Sequence, residues 1–340
     1  MGPNRGRWCA ADSSASCARC CWHSSRPPFR RSTGRLPGEI SIGIVTALAI
    51  ECAAIRLLTD DLRRHTVLGD RNYYHVGGIP SVDPDRPHRV VLTVLPEDGT
   101  RNAAAVCAGL LRSFPTVRCV VMCGIAGGVP GPCRPDGDVR LGDIVVATKG
   151  LVDFDHVRSV ERDDQLRRAV DGLSRDLLRA ERELEVREHT GDRPWERWLD
   201  GTARPIPPLF TRPPGADRWP RIHRGAIGSA DRLIRDAARR DEIACRYDVR
   251  AVEMESSGIA VGSALHAIHW FVVRGIADYC DRDKDDSWHP YASLAAAAYV
   301  RALLAECQPL TPPDGARVAL PPASLDLMGA EPAIEVPGLR

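Results

Sequence analysis

Two charged residues close a stretch that otherwise reads as buried strand. From His269 to Asp278 the chain runs His-Trp-Phe-Val-Val-Arg-Gly-Ile-Ala-Asp. The aromatic and β-branched residues at 270–273 predict a buried strand. Arg274 and Asp278 then fall at its carboxyl end, the edge where open α/β sheets bind ligands and where an unpartnered buried charge would be costly. A plain Arg–Asp ion pair at a strand end would satisfy the same residues. Upstream, Glu253-Met254-Glu255 follows a short apolar strand at 249–252 and precedes a helix of small residues reaching about 265. In extended backbone, acids at i and i+2 share one face; acids are also common at a helix start. A third acid, Glu51, stands alone in an apolar helical pattern over 47–58. Its neighbours Ile50, Cys52, Ala53 and Ala54 make a purely solvated position a poor fit. Carboxyl groups gathered at strand ends are the material of acid–base chemistry.

Strands and helices alternate across 41–307, which predicts one α/β domain with a central, mostly parallel twisted sheet flanked by helices. The expected strands are 41–46, 73–78, 89–95, 118–123, 144–148, 223–229 and 249–252, besides the one ending at Asp278. Helices are expected over 47–58, over 103–111 with Asn102 as N-cap, over 231–245 and over 292–307. The strand at 118–123 runs into Gly124-Ile125-Ala126-Gly127-Gly128, a turn that lets backbone approach a ligand closely. It has neither a phosphate-loop lysine nor dinucleotide-binding spacing. Charged residues with leucines at helical spacing predict an amphipathic helix over 160–189, interrupted near Gly172. Residues 190–222, rich in Pro and Trp, read either as a loop partly covering a site or as a surface excursion. The whole of 151–222 reads as an insert. Residues 1–38 read as a disordered Arg- and Cys-rich leader, and 308–340 as a Pro-rich disordered tail.

A net charge of +1 gives no reason to expect a nucleic-acid partner, and no apolar run approaches a membrane span. Cys52, Cys107, Cys119, Cys123 and Cys245 sit in apolar patterns suited to free thiols, without a disulfide framework, which fits a cytoplasmic location. Of the 46 basic residues all but Lys149 and Lys284 are arginine. No metal cluster is evident.

Taken together, five segments in order resemble the nucleoside phosphorylase/nucleosidase superfamily. They are IGIVTALAIE at 42–51, CGIAGGV at 123–129 with RLGDIVV following, HRGAIGSADRLIRD at 223–236, AVEMESSGIA at 251–260 and FVVRGIADYCD at 271–281. Within the superfamily the chain is most similar to the branch of methylthioadenosine/S-adenosylhomocysteine nucleosidases. GTRNAAAV and the KDDSWHPYASLAAAAYVRALL ending also resemble domains fused to signalling and repeat modules.

The resemblance implies roles. Asp278 matches the aspartate that binds the purine edge and donates a proton toward N7. Glu255 matches the ribose-binding glutamate, with Met254 packed on the sugar and Glu253 beside it. Glu51 matches the acid that holds the attacking water, and Arg274 the arginine that helps orient it. Gly127 and Gly128 would line the sugar side. Leu233 stands where an aromatic commonly stacks on the purine, and Ala277 where serine commonly flanks the aspartate. The chemistry accounts for these types. An N-ribosidic bond breaks with positive charge on the sugar and negative charge on the base, so an acid belongs at the base and a carboxylate beneath the sugar. Glu51 occupies the loop where phosphate-using relatives carry an arginine, and a carboxylate repels phosphate. The expectation is therefore hydrolysis of a purine nucleoside or derivative by a homodimer that needs no cofactor. A nucleotide reached at its 5′ end by Arg101 or by 190–222 is a variant of this. A phosphorylase and a non-catalytic nucleotide sensor are the alternatives.

Overall fold

One long strand serves two neighbours in turn, and that division opens the site. In the computed structural model, residues 39–130, 138–160, 163–166, 170–214 and 219–310 are described. The expected leader, and the expected tail beyond 310, lie outside them. In chain order the elements are β1 (Ile42–Thr46), α1 (Ala49–Leu57), β2 (Asp60–His65), β3 (Tyr74–Ile79), β4 (His88–Val94), α2 (Thr100–Ser113), β5 (Cys119–Gly128), β6 (Ile144–Val146) and β7 (Leu151–Asp153). There follow β8 (Val157–Val160), β9 (Asp163–Leu166), α3 (Arg175–His189), α4 (Glu196–Leu199), β10 (Ile222–Arg224) and β11 (Ala226–Ser229). The last are α5 (Ala237–Tyr247), β12 (Val249–Glu253), α6 (Ser256–Ala264), β13 (His269–Asp278) and α7 (His289–Ala305).

Eleven strands make one mixed sheet, with β8 and β9 pairing apart. Six of its ten pairings are parallel, so the parallel expectation holds for the centre: β4, β1, β5 and β13 lie side by side in parallel. β5 begins as an apolar run and pairs with β1 from Ile42↔Cys119 to Val45↔Met122. Its end is made of small residues. There it leaves β1 and pairs antiparallel with β12, Val252 opposite Gly127 and Ala251 opposite Gly128. β13 holds the other edge of β5 throughout, with Arg274 opposite Gly124 and Asp278 opposite Gly127. A crevice therefore opens where β1 and β12 part along β5, at the carboxyl ends of the strands.

α7 is buried on nearly every side from Tyr291 to Leu304. A helix that is apolar all round needs cover beyond the sheet, and the 151–222 region supplies it. Trp195, Trp198 and Phe210 join the core that contains α7. Tyr299 donates to Glu181 of α3 at 2.7 Å, and Arg224 pairs with the same carboxylate at 2.9 Å. Arg301 lies 4.3 Å above the Trp198 ring. The described residues of 190–222 thus pack as scaffold against α7.

Several boundaries differ from expectation for local reasons. The helix expected over 160–189 starts only at Arg175, because Gly172 takes φ +98° and the Ser174 hydroxyl caps Leu177 N–H; Leu166 lies on the β8–β9 hairpin instead. α5 begins after Asp236, whose carboxylate accepts from Ala238 and Arg239 N–H. Gly99, not Asn102, precedes α2. The strand expected over 223–229 is split at Gly225 between β10 and β11. Cys52, Cys107, Cys119 and Cys123 are buried free thiols, whereas Cys245 is disulfide-bonded.

α2 and α6 lie close because Gly258 and Gly262 face α2. A Cβ at Gly258 would collide with the Thr100 carbonyl, and one at Gly262 would stand 2.8 Å from Cys107 Cβ. Backbone cannot yield as a side-chain tip does, so Gly258→Ala is expected to cost about 1–3 kcal/mol. Urea unfolding should show the midpoint lowered at unchanged slope.

Candidate active site

Arg274 has no exposed surface. Its Nη2 pairs with Glu253, lies 3.3 Å from Glu255 Oε2 and contacts Ser256 Oγ at 3.1 Å. Its Nη1 reaches the Ile125 carbonyl at 3.3 Å and stands 3.9 Å from Glu51 Oε1. One guanidinium thus meets three buried carboxylates from β12, the start of α6 and α1. Gly124, directly opposite Arg274, makes this possible: a Cβ there would strike both Glu51 and Arg274.

Each acid is held by backbone as well. Glu51 is the third residue of α1 and reaches back to its start, where Oε2 accepts from Ala47 N–H at 2.7 Å and Leu48 N–H at 2.8 Å. Its Oε1 accepts from Ile125 N–H at 2.7 Å. Glu253 accepts from Glu255 N–H, Ser256 N–H and the Ser256 hydroxyl, so its oxygens are spent on Arg274 and on opening α6. Glu255 accepts from Gly99 N–H at 3.2 Å, the point where the tight α2–α6 contact meets the site. Burial pushes Glu51 upward against Arg274 and its backbone donors. Burial also raises Glu255 to about 7, with Glu253 and Glu51 adding to the rise and Arg274 opposing it. Burial alone would lower Arg274, but its three carboxylates outweigh this and raise it.

Asp278 ends β13. Its Oδ1 accepts from Cys280 N–H at 2.8 Å, and its Oδ2 pairs with Lys284 Nζ at 2.8 Å. Cys280 takes φ 53° to make that turn, and burial followed by Asp278 pushes its thiol up to about 12. Gly127 leaves the aspartate its room, since a Cβ there would stand 2.9 Å from Oδ1.

These residues border one cavity of about 210 Å³, lined by Glu51, Gly127, Leu233, Glu253, Met254, Glu255 and Asp278 together with Leu48, Asp98, Ile125, Arg232, Ile234, Lys284 and His289. Seven of the nine residues singled out in the sequence therefore converge. Arg274 does not reach the cavity; it lies beneath, because three carboxylates claim it. Gly128 is also off the wall, packed against Ile276 and Val139. Arg101 points to solvent, 91% exposed and 3.5 Å from Asp231, and no described residue of 190–222 lines the cavity. Sequence reading missed Lys284 and His289. Lys284 was concealed inside the acidic run 279–286, although the rarity of lysine in this chain marked it.

The cleft lies at the strand-order switch along β5, is lined by acids and has one buried arginine beneath it. Residues 41–305 match the Phosphorylase superfamily, and the chain belongs to that superfamily. A nucleotide-binding leucine-rich repeat (NLR)-like protein of Hyaloscypha variabilis is 30% identical over 310 residues, covering 80% of this chain and 30% of that protein. ATP nucleosidase Cap17 of Escherichia coli is 36% identical over 77 residues, 22% of this chain and 15% of that protein. The chain thus spans less than a third of the length of these relatives. Among solved structures, the fold is similar to 5′-methylthioadenosine/S-adenosylhomocysteine nucleosidase of Helicobacter pylori, with TM-score 0.55, 17% identity and coverage of 78% of this chain and 98% of that one. It is similar also to futalosine hydrolase of Helicobacter pylori, with TM-score 0.54, 18% identity and coverage of 78% and 97%. Among the described residues no helix is long and apolar enough to cross a membrane.

Glu255 gives a pH signature. The folded chain holds its proton up to about pH 7, whereas the carboxyl of an unfolded chain releases it near 4.5. The contribution of this group to stability is therefore intact below about 4.5 and is lost as pH rises to about 7, a change on the order of 3 kcal/mol. Glu255→Gln removes that slope. Denaturation at pH 5 and pH 8 should show the variant gaining on the parent protein by roughly this amount at the higher pH, and a constant difference would contradict the assignment.

Proposed function

We propose that this chain hydrolyses the N-glycosidic bond of a purine nucleoside or nucleoside phosphate, releasing the base. The observation that carries the reading is that Asp278, Glu51 and Glu255 border one cleft, which Met254 and Leu233 also line. The base lies toward Asp278 and Leu233, and the sugar over Met254 and Glu255. As the bond lengthens, positive charge grows on the sugar next to Glu255 and Glu51, and the base accepts a proton from the Asp278 side. Water attacks from the Glu51 side.

Water is favoured over phosphate by charge. Arg274 is the one cation among three carboxylates, and it is consumed by them. A phosphate dianion needs donors and positive charge, and here it would meet net negative charge at low dielectric. A 5′-phosphate on the substrate is a separate matter. Arg232 lines the cleft, and the relatives named ATP nucleosidases support a nucleotide over a thioether nucleoside.

The proposal includes a homodimer, supported by Leu233 at the cleft, 54% exposed, and by Val261 and Leu265 at 53% and 76% around the end of α6. It includes a cytoplasmic location, supported by six buried free thiols against one disulfide-bonded cysteine, Cys245, among the described residues.

Incubation with purine nucleosides and their mono- and triphosphates in phosphate-free buffer should release free base and an unphosphorylated C1′. Asp278→Asn should lower that rate by about 10²–10⁴-fold with the circular dichroism spectrum retained. Release that depends on added phosphate, or an Asp278→Asn rate within threefold of normal, would contradict the reading.

A further inference from the structure

An aspartate paired with an ammonium has no proton of its own to give. Asp278 is so paired: Lys284 Nζ sits 2.8 Å from Oδ2, with 17% and 5% of the two side chains exposed. The other oxygen accepts from Cys280 N–H, which cannot supply a proton either. Yet the departing base needs one. The side-chain donor next to Asp278 is Lys284 Nζ, and Lys284 borders the same cleft.

The sequence makes the same point independently. The chain holds 46 basic residues, of which two are lysine. Lys149 is on the surface, 63% exposed and 3.4 Å from Asp248. The other stands against the aspartate at the cleft. Arginine gives the stronger and more rigid carboxylate partner, but it cannot be deprotonated in proteins; lysine can. A chain that uses arginine almost everywhere carries lysine at the position where giving up a proton would matter.

We propose that Lys284 is the proton source for the leaving purine, acting through Asp278; this rests on the reaction proposed above. As the C1′–N bond breaks, its electron pair goes to the base. A proton moves from Lys284 Nζ to Asp278 Oδ2, and the carboxylic acid so formed donates it to the base nitrogen. Asp278 ends as a carboxylate and Lys284 as a neutral amine. The water that bonds to C1′ loses a proton to solvent, and Lys284 regains one. The balance is sound because a purine leaving as an anion is a base of strength comparable to an amine. Asp278 touches the base, and Lys284 is a positioning and proton-supplying residue behind it. The other charged or titratable groups facing the pair are His289 at the start of α7, with Asp286 and Asp285 beside it, and Cys280 and Arg240.

The test compares base release by the full chain, Lys284→Arg, Lys284→Ala and Asp278→Asn, with and without added methylammonium. Lys284→Arg keeps the charge and is expected to keep its melting temperature and a KM within about threefold, while kcat falls 10²-fold or more. Lys284→Ala is expected to fall as far and to recover in proportion to the methylammonium concentration. A Lys284→Arg kcat within threefold of normal overturns the relay, since a cation that never gives up its proton would then suffice. Absence of methylammonium rescue in Lys284→Ala overturns it as well. If instead the unaltered chain releases no base, or Asp278→Asn is fully active, the proposed reaction fails and the relay with it. Those outcomes are distinct from normal Lys284 variants in an otherwise active enzyme.

Discussion

A guanidinium with no exposed surface is the constraint from which the site follows. Moving a charge into a protein interior costs several kcal/mol even after relaxation, and removing one member of such a group typically costs 3–5 kcal/mol. Arg274 is tolerated because four separate segments converge on it. β13 carries it, β12 and α6 bring Glu253 and Glu255, α1 brings Glu51, and β5 yields space at Gly124. Each of these acids is also tied to backbone amides, so none can swing away to solvent. The strand-order switch along β5 makes the convergence geometrically possible, and the glycine contact between α2 and α6 fixes the height at which Glu255 arrives.

The same group sets the electrostatics of the cleft. Three carboxylates against one arginine leave excess negative charge in a buried place, and the molecule relieves part of it by keeping Glu255 protonated to about pH 7. In the proposed reaction, a cleft in this state is poorly suited to an anion at the sugar and well suited to a cation. Positive charge arriving beside Glu255 would favour its ionised form, so the site gains most when charge appears on the ring, which is the condition for stabilising a transition state over a ground state. Asp278 stands outside this cluster with its own counter-charge. The ion pairing at the two ends of the cleft is therefore separate, with Arg274 serving one end and Lys284 the other.

Much of this was legible in the sequence. Arg274 and Asp278 break a hydrophobic run at a strand end, and Glu51 interrupts an apolar helix; each is a local conflict between type and surroundings, and each proved buried at the site. The arrangement of roles was less legible. That Glu253 accepts from the first amides of α6 while Glu255 accepts from Gly99 N–H depends on a turn into α6 that spacing alone does not distinguish. Arg274 was expected at the surface of the site and lies beneath it, because the number of acids around it is a three-dimensional fact. The 190–222 stretch read either as a partial cover for a site or as a surface excursion; its Trp195, Trp198 and Phe210 instead pack with α7, whose all-round apolarity calls for a further layer. Lys284 was hidden because the residues beside it are mostly acidic and its partner Asp278 lies across a turn in which Cys280 takes φ 53°.

The proposed reaction requires a cleft suited to positive charge on the sugar. The direct measurement is the affinity for two nucleoside analogues of equal shape, one with a neutral ribose ring and one with a protonated nitrogen in that ring. The cationic analogue is expected to bind at least 10²-fold more tightly, and Glu255→Gln to remove most of the difference. Equal affinities, or a preference that Glu255→Gln leaves unchanged, would contradict it.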